Sequence, residues 1–185
     1  MENPQVRIRP ARPEDSTFIA WGILAAVGIE APAETQLRST AGLSRLEDVL
    51  YSYRNTVIAE WEGTSAGLLC AYRGEDYLRL RERTFPLIAR FCGVDFSGME
   101  AETVPGEFYL DSVAVLPEFR HRGLGRSLLR HGLQQAVALG YGRCTLIVSP
   151  EKSQARRLYE SLGFRYEKKL FVFNEDYQKM VCPVR

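Results

Sequence analysis

Net charge is almost absent from this chain: 24 basic against 23 acidic side chains leave +1. No overall field therefore recruits nucleic acid or an anionic membrane, and any anion site has to be local. Histidine is scarce, with only His121 and His131, and the four cysteines (Cys70, Cys92, Cys144, Cys182) are scattered with no CxxC. That pattern argues against a zinc site, and no metal is expected; the thiols read as reduced and mostly buried. No apolar run approaches the roughly 20 residues of a membrane-spanning helix. The opening "MENPQVRIRP" lacks the basic-then-apolar order of a signal peptide, so a cytoplasmic location is expected. Repeats, low-complexity tracts and composition shifts are missing too. The 185 residues, 1–185, therefore read as one domain with a full core.

What is present is a series of short periodic segments. "VRIRP" alternates and predicts a strand over Gln5 to Arg9, followed by a helix over Pro13 to Val27 with proline and acids in its first turn. "LSRLEDVLYS" has helical apolar spacing and predicts a second helix. Two strands, Thr56 to Trp61 and Ser65 to Tyr72, meet at Glu62-Gly63-Thr64. Gly74 to Gly106 reads as one helix broken by Pro86, or two short helices, and then a loop from Gly93. After it come a strong strand (Phe108 to Leu116), an amphipathic helix stopped near Gly140, the strand "RCTLIVS", the helix "SQARRLYESLGF" and two final strands. That order is a mixed α/β domain built on one sheet.

The stretch "RHRGLGRSLL", Arg120 to Leu129, opens the amphipathic helix. A helix start leaves its first N–H groups without internal partners and at the positive end of the dipole. Glycine removes the Cβ, so an anion can reach the backbone. The amides from Arg122 to Arg126 are thus placed to wrap a phosphate or pyrophosphate, with charge from Arg120 and Arg122. No GK[ST] follows, so this is not a Walker loop, and the third glycine of the Rossmann fingerprint is missing at Ser127 or Leu128. Alone, the stretch also reads as a tight turn with its charges in solvent.

A second block changes the weight. "LDSVAVLPEFRHRGLGRSLL" and "SPEKSQARRLYESLGF" together resemble the GCN5-related N-acetyltransferase (GNAT) family. Its signature of an arginine or glutamine, two residues, glycine, one residue and then glycine or alanine is met by Arg120, Gly123 and Gly125 after "VAV". The alanine, "LY" and "GF" of the second block are Ala155, Leu158-Tyr159 and Gly163-Phe164. The resemblance implies the acyl-CoA N-acyltransferase fold, a single mixed, mostly antiparallel sheet splayed at its central strands and flanked by helices. It implies acetyl-CoA as co-substrate and direct acetyl transfer to a primary amine on a small molecule or peptide. Its pyrophosphate would lie on the amides of Arg122, Gly123, Leu124, Gly125 and Arg126, with Ser127 in the same turn. Its pantetheine arm would pair with backbone near Val113, Ala114 and Val115.

Side-chain roles follow from the same resemblance. Tyr159 matches the tyrosine that protonates the leaving thiolate; otherwise it is a core tyrosine of an amphipathic helix. Strand alternation puts Tyr109, Asp111, Val113 and Val115 on one face, so Asp111 is a candidate base, and Glu107 extends that row. Each carboxylate also reads as solvated or salt-bridged. Lys152 stands where the family often has asparagine, and reaches a coenzyme phosphate or points into solvent. Acceptor walls are expected from Phe18, Trp21 and Phe173, with Glu30, Glu34, Glu175 and Asp176 attracting a cation. The segment from Gly74 to Gly106 reads as a lid or wall of the acceptor site, or as a contact in a homodimer. A non-catalytic acyl-CoA-binding module of the same fold is the alternative reading, and a phosphate-binding protein of another fold a third.

Overall fold

The computed structural model describes residues 5–92, 96 and 98–185. Alternating apolar residues build a meander in which β1 (Val6–Pro10), β2 (Thr56–Trp61), β3 (Thr64–Arg73) and β4 (Phe108–Val115) pair antiparallel in turn. β5 (Arg143–Val148) then lies parallel to β4, and a hairpin of β6 (Arg165–Val172) and β7 (Glu175–Pro183) adds through β7. The sheet has seven strands in the order β1-β2-β3-β4-β5-β7-β6. It is mixed and mostly antiparallel, as the resemblance implied.

Both faces are covered, giving three layers. α4 (Leu124–Ala138) and α5 (Ser153–Glu160) cover one face, where Leu124, Leu128 and Leu129 bury against Leu69, Leu110 and Leu146. α1 (Ser16–Ala26) and α3 (Tyr77–Cys92) cover the other, with Ile19, Ile23, Tyr77 and Leu80 on Ile58, Leu68, Tyr72 and Tyr109. α2 (Glu34–Ser44) packs on α1. The thiols of Cys70, Cys144 and Cys182 are buried and unpaired. The Cys92 side chain, residues 1–4 of the expected leader-free start, and residues 93–95 and 97 of the expected loop lie outside the described residues.

Three local expectations are corrected. The helix expected over Leu43 to Ser52 is instead α2, which ends at Ser44. The apolar spacing there serves a buried irregular loop: Asn55 Nδ2 donates to the carbonyls of Val49 and Leu50, and the Leu50 N–H donates to Thr84 Oγ1 at 2.8 Å. The break expected at Pro86 does not occur, and α3 runs through it as one helix. Proline costs a helix one hydrogen bond, and burial of Tyr77, Leu80 and Phe85 along one face outweighs that cost here.

The third correction bears on the site. Ala71 pairs with Leu110 and Cys70 with Ser112, so Asp111 is an extra residue in β4. This bulge reverses the alternation. Tyr109 faces α3, whereas Val113 and Val115 face α4. The four residues expected on one face are therefore divided between two.

Candidate active site

β4 and β5 pair only at Phe108–Cys144 and Tyr109–Thr145, and then part. Their divergence opens a cleft of about 660 Å³. Asp111, Val113, Ala114 and Val115 line one wall, Leu146, Ile147 and Val148 the other, and Leu158 and Tyr159 of α5 close it from the side. Parallel strands that separate leave an edge of unpaired backbone groups inside the protein, which an extended ligand can satisfy as a substitute strand. The Val115 carbonyl already accepts from Arg120 Nε at 3.2 Å.

The mouth of the cleft is the start of α4. His121 has φ +63° and Gly123 φ +88°, two left-handed residues that turn successive amides toward one point. Among the described residues, the N–H groups of Gly123, Leu124, Gly125 and Arg126 have no hydrogen-bond partner, whereas Ser127 N–H donates to the Gly123 carbonyl at 3.0 Å. A Cβ at Gly125 would lie in ordinary contact with Leu158, 3.6 Å away. Arg120, Arg126, Lys152 and Arg157 also line the cleft and make this end positive. The amides, the positive dipole end and four cations fit a pyrophosphate group.

The opposite end is acidic and buried. Asp111 accepts from the hydroxyls of Tyr72 and Ser112. Behind it Glu102, which is 5% exposed, accepts from Tyr109 at 2.6 Å and Tyr77 at 3.5 Å. Burial raises the Asp111 carboxyl above its ordinary value. Burial and the negative charge of Asp111 raise that of Glu102 well above its own. Two nearby buried carboxyls cannot both ionise easily, so the pair is poised to hold one proton. The Tyr159 hydroxyl has no hydrogen-bond partner among the described residues, and burial pushes it up to about 12. It therefore stays protonated at neutral pH. The cleft thus has bare amides and cations at one end, a buried carboxyl pair at the other and a protonated phenol on its side.

A model of the acetyltransferase (GNAT) family matches residues 29–164. The chain belongs to the GNAT family. Over 92 residues it is 36% identical to the ribosomal protein bS18-alanine N-acetyltransferase of Salmonella typhimurium, a match covering 50% of this chain and 57% of that protein. It is 34% identical over 93 residues to the mycothiol acetyltransferase of Corynebacterium diphtheriae, covering 50% of this chain and 30% of the relative. The matched stretch thus spans about half of the first relative and less than a third of the second. Among solved structures, an acetyltransferase superposes with a TM-score of 0.77 at 28% identity, over 97% of this chain and 100% of the other.

This GNAT chain brings most of its sequence-predicted site residues into the cleft: Asp111, Val113, Ala114, Val115, Arg120, Gly123, Leu124, Gly125, Arg126, Lys152 and Tyr159. Three lie elsewhere. The Arg122 guanidinium stacks 5.3 Å from Trp61 and 5.5 Å from Phe119. Ser127 turns its amide into α4. Glu107 does not line the cleft; it sits below the parting of β4 and β5, where its carboxylate accepts from Lys179 Nζ at 2.7 Å, Thr103 and Thr145. Burial alone would raise the Glu107 carboxyl, but the Lys179 hydrogen bond and charge, with Thr103 and the Val104 amide, hold it below its ordinary value. Lys152 donates to the Ala26 carbonyl at 2.6 Å, at the end of α1. Glu30, Glu34 and Asp176 pair with Arg120, Arg38 and Lys169 at the surface.

Glu102, and the hydrogen bonds that Tyr77 and Tyr109 give it, escaped the sequence reading. Glu102 lies in an expected loop, and only the return of α3 and β4 supplies Tyr77 and Tyr109. The Glu107–Lys179 pair is equally non-local and has a measurable consequence. Lys179→Met strands a buried carboxylate and is expected to destabilise the protein by about 3 kcal/mol. Urea unfolding should show a lower midpoint at unchanged slope, with much of the loss recovered in the Glu107→Gln/Lys179→Met double variant.

Proposed function

We propose that this protein transfers the acetyl group of acetyl-CoA to a primary amine by direct attack in the β4–β5 cleft. The observation that carries this reading is the parting of the two strands between an amide cradle and a buried acid pair. Acetyl-CoA supplies a thioester carbonyl carbon for the amine nitrogen and a sulfur that leaves. The α4 amides and Arg120, Arg126, Lys152 and Arg157 bind the phosphates, and the β4 edge from Asp111 to Val115 aligns the arm. Asp111, backed by Glu102, takes the proton that the attacking ammonium must lose, directly or through water. Tyr159 gives its hydroxyl proton to the departing thiolate and is reprotonated by the second proton that the acylated nitrogen sheds as the amide forms. Holding both reactants in one cleft supplies much of the rate. Names of the similar proteins agree with amine acceptors on proteins or small molecules.

The test is thiol release from acetyl-CoA with a panel of amines. Tight coenzyme binding without turnover on any amine would instead favour a binding module. A pH profile tests the acid pair. The base acts only when deprotonated, and burial raises the Asp111 carboxyl, so kcat/KM is expected to climb with pH through a window displaced upward from the ordinary aspartate value near 3.8. Glu102→Gln replaces the partner carboxyl by a neutral amide, so the pair can no longer share a proton, and the profile is expected to reduce to the single ionisation of Asp111. A profile unmoved by the substitution would detach Glu102 from the proton transfer.

A further inference from the structure

The segment between β3 and β4 does more than connect them. Its described residues Phe96, Met99 and Ala101 pack over the sheet face that carries Tyr109, and Phe96 and Glu100 tie it to the β6–β7 hairpin. Arg81 of α3 donates to the carbonyls of Met99 at 2.6 Å and Phe96 at 3.3 Å. The Phe171 amide donates to Glu100 at 3.4 Å. The Phe96 ring meets Phe173 edge-on at 5.4 Å, and Phe173 meets Tyr177 at 5.9 Å. Tyr177 in turn lines the cleft with Asp111 and Ile147.

Phe173 holds this place against its backbone preference. It and Asn174 form the two-residue turn of the hairpin with φ +54° and +59°. Such turns favour glycine, asparagine and aspartate, and a phenylalanine there persists only where packing over-determines it. Its ring closes the side between the hairpin tip and the β3–β4 segment. A polypeptide acceptor continues as an extended chain from its reacting nitrogen, and a path past Tyr177 and the hairpin tip meets these rings. The charge pattern adds a second filter. The cations lining the cleft belong to the start of α4 and to the α5 end, whereas Asp111 and Glu102 occupy the acceptor side. Arg81 is the cation nearest this side, and its guanidinium is engaged by the Phe96 and Met99 carbonyls and stacked over Phe85, so a carboxylate beside the reacting nitrogen would meet the two acids.

We propose that the Phe96–Phe173–Tyr177 clasp restricts the acceptor to compact primary amines with an apolar body and no carboxylate on the amine-bearing carbon, and shuts out polypeptide N-termini. This rests on the acetyltransferase reading. The experiment measures kcat/KM by thiol release for phenethylamine, phenylalanine and an alanine-headed hexapeptide, in the wild type, Phe173→Gly and Phe96→Ala. Glycine accepts φ +54° without strain, so the first variant is expected to stay folded. Phenethylamine should exceed phenylalanine by about tenfold or more and the hexapeptide by about 100-fold. Opening the clasp should raise the hexapeptide value by about tenfold in at least one variant. Wild-type use of the hexapeptide at the phenethylamine level, or no gain in either folded variant, would overturn the clasp. Equal use of phenylalanine would overturn the charge filter. Turnover of no amine while coenzyme A still binds would overturn the acetyltransferase reading itself, and the clasp with it.

Discussion

Gly123→Asp is expected to remove measurable coenzyme A binding, raising Kd by about 100-fold or more. Nothing lies within 4 Å of the Cβ that this substitution adds, so the fold has room for it. The cost falls instead on the ligand, whose pyrophosphate would meet a carboxylate inside the amide cradle. Part of any effect is conformational, because φ is +88° there and a side chain in the left-handed region costs about 1–2 kcal/mol. Gly123→Asn separates the two contributions. Asparagine has the same shape, tolerates that region better and carries no charge. Calorimetric titration should rank affinity as wild type, then asparagine, then aspartate, with the last step the larger. Near-normal affinity in the aspartate variant would remove the pyrophosphate from the start of α4.

That cradle was legible in the letters because its causes are local. Two glycines between arginines, after an apolar strand and before an amphipathic helix, specify bare amides and positive charge within seven residues. The fold was legible for a similar reason: each strand and most helices carry their own periodicity. The acid side was not. A bulge at Asp111 arises from the pairing of Cys70 with Ser112 and Ala71 with Leu110, which β4 alone does not encode. Glu102 becomes a buried acid only when Tyr77 and Tyr109 close on it from two elements. Glu107 looked like a base because it extends a row along β4, yet its partner Lys179 is 72 residues away and holds it outside the cleft. The surface acids expected to draw in a cation are instead largely engaged by neighbouring arginines and lysines.

Tyr159→Phe should separate chemistry from binding. The hydroxyl holds no protein hydrogen bond among the described residues, and the ring, packed edge-on against Phe164 at 6.1 Å, is kept by phenylalanine. Stability and coenzyme A affinity are therefore expected to stay close to wild type. What disappears is the proton for the leaving thiolate. Burial pushes its pKa up to about 12, so the phenol is almost fully protonated at neutral pH; this also makes it a weaker acid, and transfer to sulfur is completed by the proton that the acylated nitrogen returns to it. General-acid groups of this kind contribute about 10²–10⁴-fold, so kcat should fall by about 100-fold at saturating acetyl-CoA and amine. A thioester with a better leaving group needs that proton less, and an acetyl donor bearing an acidic thiol should narrow the gap between variant and wild type. If kcat is unchanged while a pre-steady-state measurement shows chemistry to be rate-limiting, the acid lies elsewhere in the cleft. If kcat falls equally with both donors, the hydroxyl is orienting the substrate rather than protonating the sulfur.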